Sequence, residues 1–465
     1  MAVPALTAAR KARPLTALER VLDSGLRVLV VRKPGVPLAE VRLRVPFMSA
    51  RPRHEARAPL LAESMLTGTK SQNRQELAAA LQGLGASLGV GVNADRLLLS
   101  GSVLAANLPQ LLTLVAEVLI DGHYSAREVA AERSRLIERL IIARSQSQVV
   151  AAEALAEMLY GTHPYARAPQ VADVDAANSA QLRRLHRELA RPDGASLVVV
   201  GDVSPARAAD AIETALAGWT GAGAAGRVPA LPAIGARPLG VVHRPGSVQS
   251  SIRLGGAAAP RDDPRYPALQ LANLVFGGYF SSRWNENIRE DKGYTYGPHS
   301  QIEHHALGSA LVFDADVATE VTAPALLETR YELGRICLLP VTEAELASAR
   351  QFAIGSLALS TATQAGLAST LSALDGAGLG RDWLAEHPRR LAAVSVDEVL
   401  AAAAEFFAPS RLVGVVVGDA DAITEPLSRM LLVESRPWAV DGSLGADGPL
   451  GADGGLGVDG PLGAD

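Results

Sequence analysis

The feature that most restricts the fold of this chain is a faint internal repeat. Residues 30–43, VVRKPGVPLAEVRL, match residues 241–254, VVHRPGSVQSSIRL. Farther on, LVVVGDV at 197–203 is answered by VGVVVGDAD at 413–421, in the same order and at nearly the same separation. Two matching anchors in one order point to duplication, so what the first half builds the second builds again. At 465 residues, 48% hydrophobic and 20% charged, the chain is long enough for two such cores. Each half spans about 200 residues, an ordinary size for one domain.

The first half reads as a sheet with helices. A turn at Asp23-Ser24-Gly25 joins two apolar runs, and residues 39–45 alternate as AEVRLRV. That period of two puts Val41, Leu43 and Val45 on one face and Arg42 and Arg44 on the other, a strand with one wet or partnered side. Helical spacing follows at 58–66, 74–84 and 108–121, then from about 126 to 160 with a break near 145–148 left open. A helix near 180–189, a wholly apolar strand at 196–200 and a helix at 205–219 close the unit. The expected class is α+β: two tandem homologous domains, each a mostly antiparallel sheet with helices packed on one face. The expected boundaries are a flexible lead over 1–19, a first domain over 20–219, a Gly/Ala/Pro-rich linker over 220–238 and a second domain over 239–435. Residues 436–465 repeat little but Leu, Gly and Asp and are expected to form a disordered acidic tail. Within it, 454–462 brushes the calcium-binding nonapeptide pattern, but the period is six rather than nine.

A formal charge of −5 leaves no basic footprint for nucleic acid. The single cysteine, Cys337, excludes an internal disulfide and a cysteine-built zinc site. No uninterrupted apolar core follows Arg10, Lys11 and Arg13, although those charges suit a weak targeting arm. No apolar run reaches the ~18–20 residues of a membrane span. A cytoplasmic protein without a membrane partner is the expectation.

The chemistry concentrates in residues 276–297, FGGYFSSRWNENIREDKGYTYG. After Gly277-Gly278 comes a short polar helix, with Ser281 or Ser282 placed to cap it and Gly293 placed to end it in the left-handed conformation. Trp284 and Ile288 share its buried face; Asn285 and Arg289 share the neighbouring one. Tyr294-Thr295-Tyr296 then reads as the start of a strand with both phenols on one side. An arginine at the helix end and a tyrosine beyond a tight turn can bring two donors to one carbonyl oxygen. Such an arginine also complements the helix dipole, and such tyrosines also pack, so spacing alone leaves both readings open.

The segment closely resembles the C-terminal-domain signature of the insulinase (pitrilysin) family of zinc peptidases, a helix of the form S-R-L-x-x-x-L-R-E followed by G-x-x-Y. The resemblance spans about residues 20–435 and implies that Arg289 and Tyr296 form a pair that binds substrate and assists the transition state. Asn285, one turn before Arg289, is a further candidate for substrate binding.

The family's zinc motif, H-x-x-E-H before a hydrophobic-G-T turn, is missing. The corresponding segment is 58–69, APLLAESMLTGT. Anchored on Gly68-Thr69, Pro59 and Glu63 take the histidine slots and Ala62 the base slot; anchored on Met65-Leu66, Leu60 and Ser64 take the histidine slots and Glu63 remains as base. Both histidines are lost either way. On the later helix Glu132-Arg133 resembles the family's E-R pair, which puts Arg139, beside Glu138, in the third-ligand position, where it would repel a metal. His299, Glu303, His304 and His305 lie close in sequence, but in a strand neighbours point to opposite faces.

The resemblance thus implies the non-catalytic subunit of a heterodimeric zinc metallopeptidase. No cofactor or metal is expected in this chain; zinc belongs to a homologous partner bearing the His-x-x-Glu-His motif, and the substrates are peptides, leader peptides among them. The alternative is a catalytically dead scaffold or peptide-binding protein of the same fold. A free-standing hydrolase of other chemistry finds no Ser/His/Asp or Cys/His signature here.

Overall fold

The duplication reappears as two six-stranded sheets of the same design. The computed structural model describes residues 16–221 and 228–436. The first sheet contains β1 (Thr16–Val21), β2 (Arg27–Arg32), β3 (Leu38–Pro46), β4 (Ser87–Val92), β5 (Arg96–Leu104) and β6 (Ser196–Gly201). The second contains β7 (Leu239–His243), β8 (Gln249–Ala258), β9 (His299–His305), β10 (Gly308–Ala318), β11 (Val413–Gly418) and β12 (Val433–Arg436). Their orders, β1-β2-β6-β3-β5-β4 and β12-β7-β11-β8-β10-β9, superpose strand for strand except at one edge. The paired sequence anchors are β2–β3 with β7–β8, and β6 with β11. β6 runs parallel to β2 and antiparallel to β3, as β11 does to β7 and β8. The edges differ because β1 precedes its sheet and pairs antiparallel, whereas β12 follows its sheet and pairs parallel.

Helices of each half cover one face of its own sheet. In the first half Leu60 and Leu61, Leu111 and Leu112, and Ile212 meet Val28, Val41, Leu43 and Val199 in one core. The opposite face is apolar too, and a helix from the other half covers it. Leu367, Ala368 and Leu371 of the helix Gln364–Gly376 pack on Val31, Val198 and Val200 of the first sheet. Reciprocally, Val150, Ala154, Leu155 and Met158 of the helix Ser147–Tyr160 pack on Val312, Val413, Val415 and Val417 of the second. A glutamine in the first turn of each exchanged helix fastens it: Gln364 donates to the Lys33 carbonyl at 2.7 Å, and Gln148 to Asp316 Oδ2 at 2.6 Å.

The arginine face of β3 is therefore covered: Arg44 is buried with its Nε unsatisfied, whereas Arg42 is partnered. Arg42 is buried, donating to Glu40 Oε2 at 3.0 Å and to Ser369 of the exchanged helix at 3.1 Å. Its counterpart in the repeat, Arg253, meets Asp314 at 2.7 Å and Asp316 at 3.5 Å. The long helix does break, into Ala126–Arg144 and Ser147–Tyr160, and Arg244 of the second half donates to the freed Ser145 carbonyl at 2.8 Å.

Three expected boundaries move. The lead over 1–19 is shorter, because β1 begins at Thr16 and Leu18 packs on the first core; residues 1–15 lie outside the described residues. The linker over 220–238 is not a free tether in its described second part: Val228, Leu231 and Ile234 pack along the exchanged helix Ser147–Tyr160. The tail and its calcium-like window lie outside the described residues, while Arg436 ends β12. The helix expected from 58 begins earlier, at His54, and the hairpin β4–β5 has no counterpart in the sequence reading because Gly89 and Gly91 blur its alternation. Among the described residues no helix is long and apolar enough to cross a membrane.

Besides His304, whose pKa burial lowers to about 3, two further histidines make the fold sensitive to mild acid. His387 stacks on Trp383 at 4.0 Å and donates its Nε2–H to Gln270 Oε1 at 2.7 Å, linking the helices Trp383–Ala393 and Tyr266–Asn273. Burial, with Arg390 and Arg261 nearby, lowers its pKa from 6.5 to about 4. Burial lowers that of His54 likewise, to about 4. The unfolded chain takes up these protons near pH 6.5 and the folded chain does not, so stability is complete above that pH and falls as the pH drops toward 4. Urea unfolding at pH 7 and pH 5.5 is expected to differ by roughly 1 kcal/mol for each of the two histidines. In His387→Phe that difference should shrink; an unchanged pH slope would show His387 has no part in it.

Candidate functional site

Residues 274–291 form two tight helical turns around a glycine pair. Gly277 admits no side chain, since a Cβ there would stand 2.8 Å from the Trp284 ring and 2.9 Å from Ser300 Oγ. Trp284 can then bury itself against Phe276 and Phe313, with its indole N–H donated to Thr329 Oγ1 at 3.0 Å. Arg283 grips Glu345 with two hydrogen bonds, 2.6 and 2.9 Å, which hold that carboxyl down to about 2. Asn287 donates to Glu328 and to buried Glu332 on the helix Thr322–Leu338. The segment is thus clamped on two sides, independently of any ligand.

It begins as an α-helical turn, Arg283–Asn285, and continues with π-type hydrogen bonding over Glu286–Asp291. Ser282 stands at the cap position, but its side chain does not cap; its hydroxyl accepts instead from the Asn285 amide at 2.9 Å. Gly293 ends the turn at φ +65°, with its N–H on the Arg289 carbonyl and the Tyr294 N–H on the Ile288 carbonyl, each reaching one residue farther back than in a Schellman stop, as the π-type turn before it requires.

The strand expected over 294–296 does not form. β9 starts only at His299, because β10 ends its pairing with β9 at His299 opposite Asp314. Residues 294–298 are a loop in which alternate side chains do not share a face. Tyr294 packs toward the core, Thr295 is buried and donates to the Asp316 carbonyl at 2.7 Å, and Tyr296 points outward, 87% exposed.

Arg289 and Tyr296 do come together, by stacking. The Arg289 guanidinium carbon lies 4.9 Å from the centre of the Tyr296 ring and 4.6 Å from that of Phe280, which the sequence reading did not single out. The cation is held against two rings. Its Nε faces Glu290 at 3.3 Å, and among the described residues no protein acceptor is within reach of its two terminal nitrogens or of the Tyr296 hydroxyl. Asn285 is not part of this surface: it is buried, and its amide is spent on Ser282 Oγ and the Tyr279 carbonyl. Phe280 carried no spacing signal, since a loop of irregular geometry brings it to Arg289.

At the other expected centre, Glu63 and Arg139 form an ion pair at 3.0 Å, both side chains about half exposed. The position that would offer a third metal ligand thus holds a cation that one of the replaced histidine slots neutralises. Glu132 is buried and accepts from Arg74 and Arg135, and Arg133 caps carbonyls at Asp175 and Ala177, so that pair is structural. His304 turns to Ser309 and His305 to Asp95 and Tyr165, in opposite directions. One surface group among the described residues, His243 with Asp419 and Asp421, has ligand atoms near one another, but its His243 Nδ1 already accepts the Ala420 N–H. Cys337 is half-buried, and burial pushes its thiol up to about 11, which suits packing rather than nucleophilic attack.

Residues 176–352 match the family described as Peptidase M16 inactive domain. An uncharacterized zinc protease of Mycobacterium tuberculosis is 26% identical over 417 residues, covering 86% of this chain and 93% of that protein. One from Bacillus subtilis is 21% identical, with 83% and 94% covered. Among solved structures, the fold is similar to a peptidase M16 inactive domain from Pseudomonas fluorescens, with TM-score 0.81, 24% identity, and 87% and 98% covered. A protease from Helicobacter pylori gives TM-score 0.80 at 18% identity, with 87% and 99% covered.

The Glu63–Arg139 arrangement leads to a direct expectation. After dialysis against zinc the chain should hold well under one ion, and Glu63→Gln should cost less than about 1 kcal/mol, since exposed pairs contribute little. Tight zinc at one ion per chain would overturn the assignment of residues 58–69.

Proposed function

We propose that the chain, similar to the peptidase M16 inactive domain over residues 176–352, is the zinc-free subunit of a two-chain peptidase of the insulinase (M16) family, lending Arg289 and Tyr296 to a site completed by its partner. The observation that carries this reading is the unpaired donor set. Arg289 is fixed on a clamped segment with both ring-facing sides occupied, yet its terminal N–H groups and the Tyr296 hydroxyl are left without acceptors. A chain that served only as a scaffold would have no use for a rigidly mounted cation with idle donors.

The partner would be a homologous chain bearing the His-x-x-Glu-His motif, whose zinc supplies activated water. This chain's part is orientation and charge. The guanidinium edge binds a peptide carbonyl, and the Tyr296 hydroxyl donates to the oxygen as negative charge develops on it. Arg289 provides the fixed fork that holds the peptide in line. Extended, unfolded peptides fit such backbone-directed recognition, leader peptides among them.

The test is hydrolysis of a quenched peptide by the chain alone, by the homologous partner alone, and by the two mixed. Activity only in the mixture is expected, with Tyr296→Phe lowering turnover by ~10²–10³ while leaving assembly intact, the range for loss of one oxyanion donor. Full turnover by the Tyr296→Phe pair would remove the tyrosine from the mechanism. Activity of this chain alone would sink the composite site.

A further inference from the structure

We infer that Phe280 is a positioning residue for Arg289, a third member of the donor site that holds the guanidinium in the plane from which it meets substrate. The inference rests on the proposed role of Arg289 and extends it to a residue to which nothing else gives a part. Phe280 is 65% exposed, so burial explains little of why a phenyl ring stands there. Its recorded contact is the face of the Arg289 guanidinium, 4.6 Å from the ring centre.

The chain aims this ring deliberately in physical terms. Tyr279 is fully extended, at φ −151° and ψ 171°, so adjacent side chains leave on opposite sides. Tyr279 turns inward onto Phe352, ring centres 5.2 Å apart, and Phe280 turns outward. The Tyr279 carbonyl is held by the Asn285 amide at 3.3 Å, which ties the loop to the same helical segment that carries Arg289. Asn285 therefore acts one step back from the site, fixing the strand of chain that fixes the ring.

The need for Phe280 follows from what else holds Arg289. Its one ion pair is through Nε to Glu290, an exposed carboxylate at 3.3 Å, and its other stacking partner, Tyr296, sits on a loop and is itself mostly exposed. An arginine side chain has several rotatable bonds, and one ring plus one exposed ion pair leaves it free to swing about the Nε–Cζ direction. Two rings within 5 Å of its guanidinium carbon restrict it more than one ring does and leave its N–H edge to a ligand. The same stacking keeps Tyr296 beside the arginine, so removing Phe280 loosens both donors.

The measurement has two parts. In the isolated chain, with arginine isotopically labelled and Arg289 identified by its loss in Arg289→Lys, the Arg289 Nε–H resonance should carry an upfield ring-current shift that falls by about half in Phe280→Leu. In the peptidase mixture, Phe280→Leu should lower kcat/KM on a quenched peptide by about ten-fold, as expected from losing one partly desolvated cation–π contact, with assembly unchanged. Phe280→Trp should restore it to within about three-fold, because a larger ring offers the same face. If Phe280→Leu keeps full kcat/KM while Arg289→Lys abolishes it, the donor site stands and the positioning role falls. If Arg289→Lys also keeps full kcat/KM, the composite reading fails with it. An Nε–H shift unaltered in Phe280→Leu would overturn the stacking whatever the kinetics show.

Discussion

Each sheet in this chain has two apolar faces and only enough helix of its own to cover one. The exchange of the helices Ser147–Tyr160 and Gln364–Gly376 resolves that constraint, and the relative placement of everything else follows from it. Neither half can leave the other without exposing a row of valines to water, at roughly 1.5–3 kcal/mol for each large aliphatic side chain. The exchange also reaches the functional loop. Gln148, on the helix lent by the first half, holds the Asp316 carboxylate; Arg253 holds it from below; and the Asp316 carbonyl anchors Thr295, next to Tyr296. The position of Tyr296 is thus set partly by Gln148, about a third of the chain away in sequence.

Burial separates the charged residues of this protein into two kinds. Arg42, Arg253 and Arg283 are buried and each ion-paired to a carboxylate, as the cost of an unpaired interior charge demands, although Arg283 Nη1 has no partner and buried Arg44 has an unsatisfied Nε. Arg139 and Arg289 stand nearer the surface. Arg139 has spent its charge on Glu63. Arg289 has not. Its only carboxylate contact is through Nε, and rings rather than acceptors occupy its faces. Both arginines have an ion pair, but Arg289 keeps its terminal N–H edge without a protein acceptor among the described residues.

Much of this was legible in the sequence, for reasons that can be named. The duplication showed because β2, β3, β6 and their copies are buried on both faces and tolerate few residue types, which keeps the two runs alike. The helix of 283–291 showed because Trp284 and Ile288 must be four apart to share the core side and because Gly293 must turn left-handed. What failed was local geometry without periodicity. Tyr294 and Tyr296 look like a strand start, yet pairing with β10 ends before them, and the loop sends one ring inward and the other out. Asn285 lies beside Arg289 on a helical wheel, but the amide is drawn inward by Ser282 and Tyr279. Phe280 and the Glu63–Arg139 pair depend on contacts between segments, which spacing within one segment does not encode. The exchanged helices were found as helices; that each serves the opposite sheet was invisible, since an apolar face does not name its partner.

An exposed donor pair raises a physical question that bears on how such a site would act. In open solvent, a guanidinium and a phenol compete poorly with water for a peptide carbonyl, because charge interactions at ε near 80 are worth about 1 kcal/mol at 4 Å. The same groups gain several-fold in strength when water is excluded. Arg289 and Tyr296 lie where nothing among the described residues excludes it, with Tyr296 87% exposed. On the proposed reading, the closing surface must therefore come from the partner and the bound peptide. The rings then serve a second purpose: they keep the guanidinium in one orientation while it is still hydrated, so that docking removes water without a further search among rotamers. On the same proposal, a site mounted this way is weak by itself and gains strength only when water is excluded on assembly.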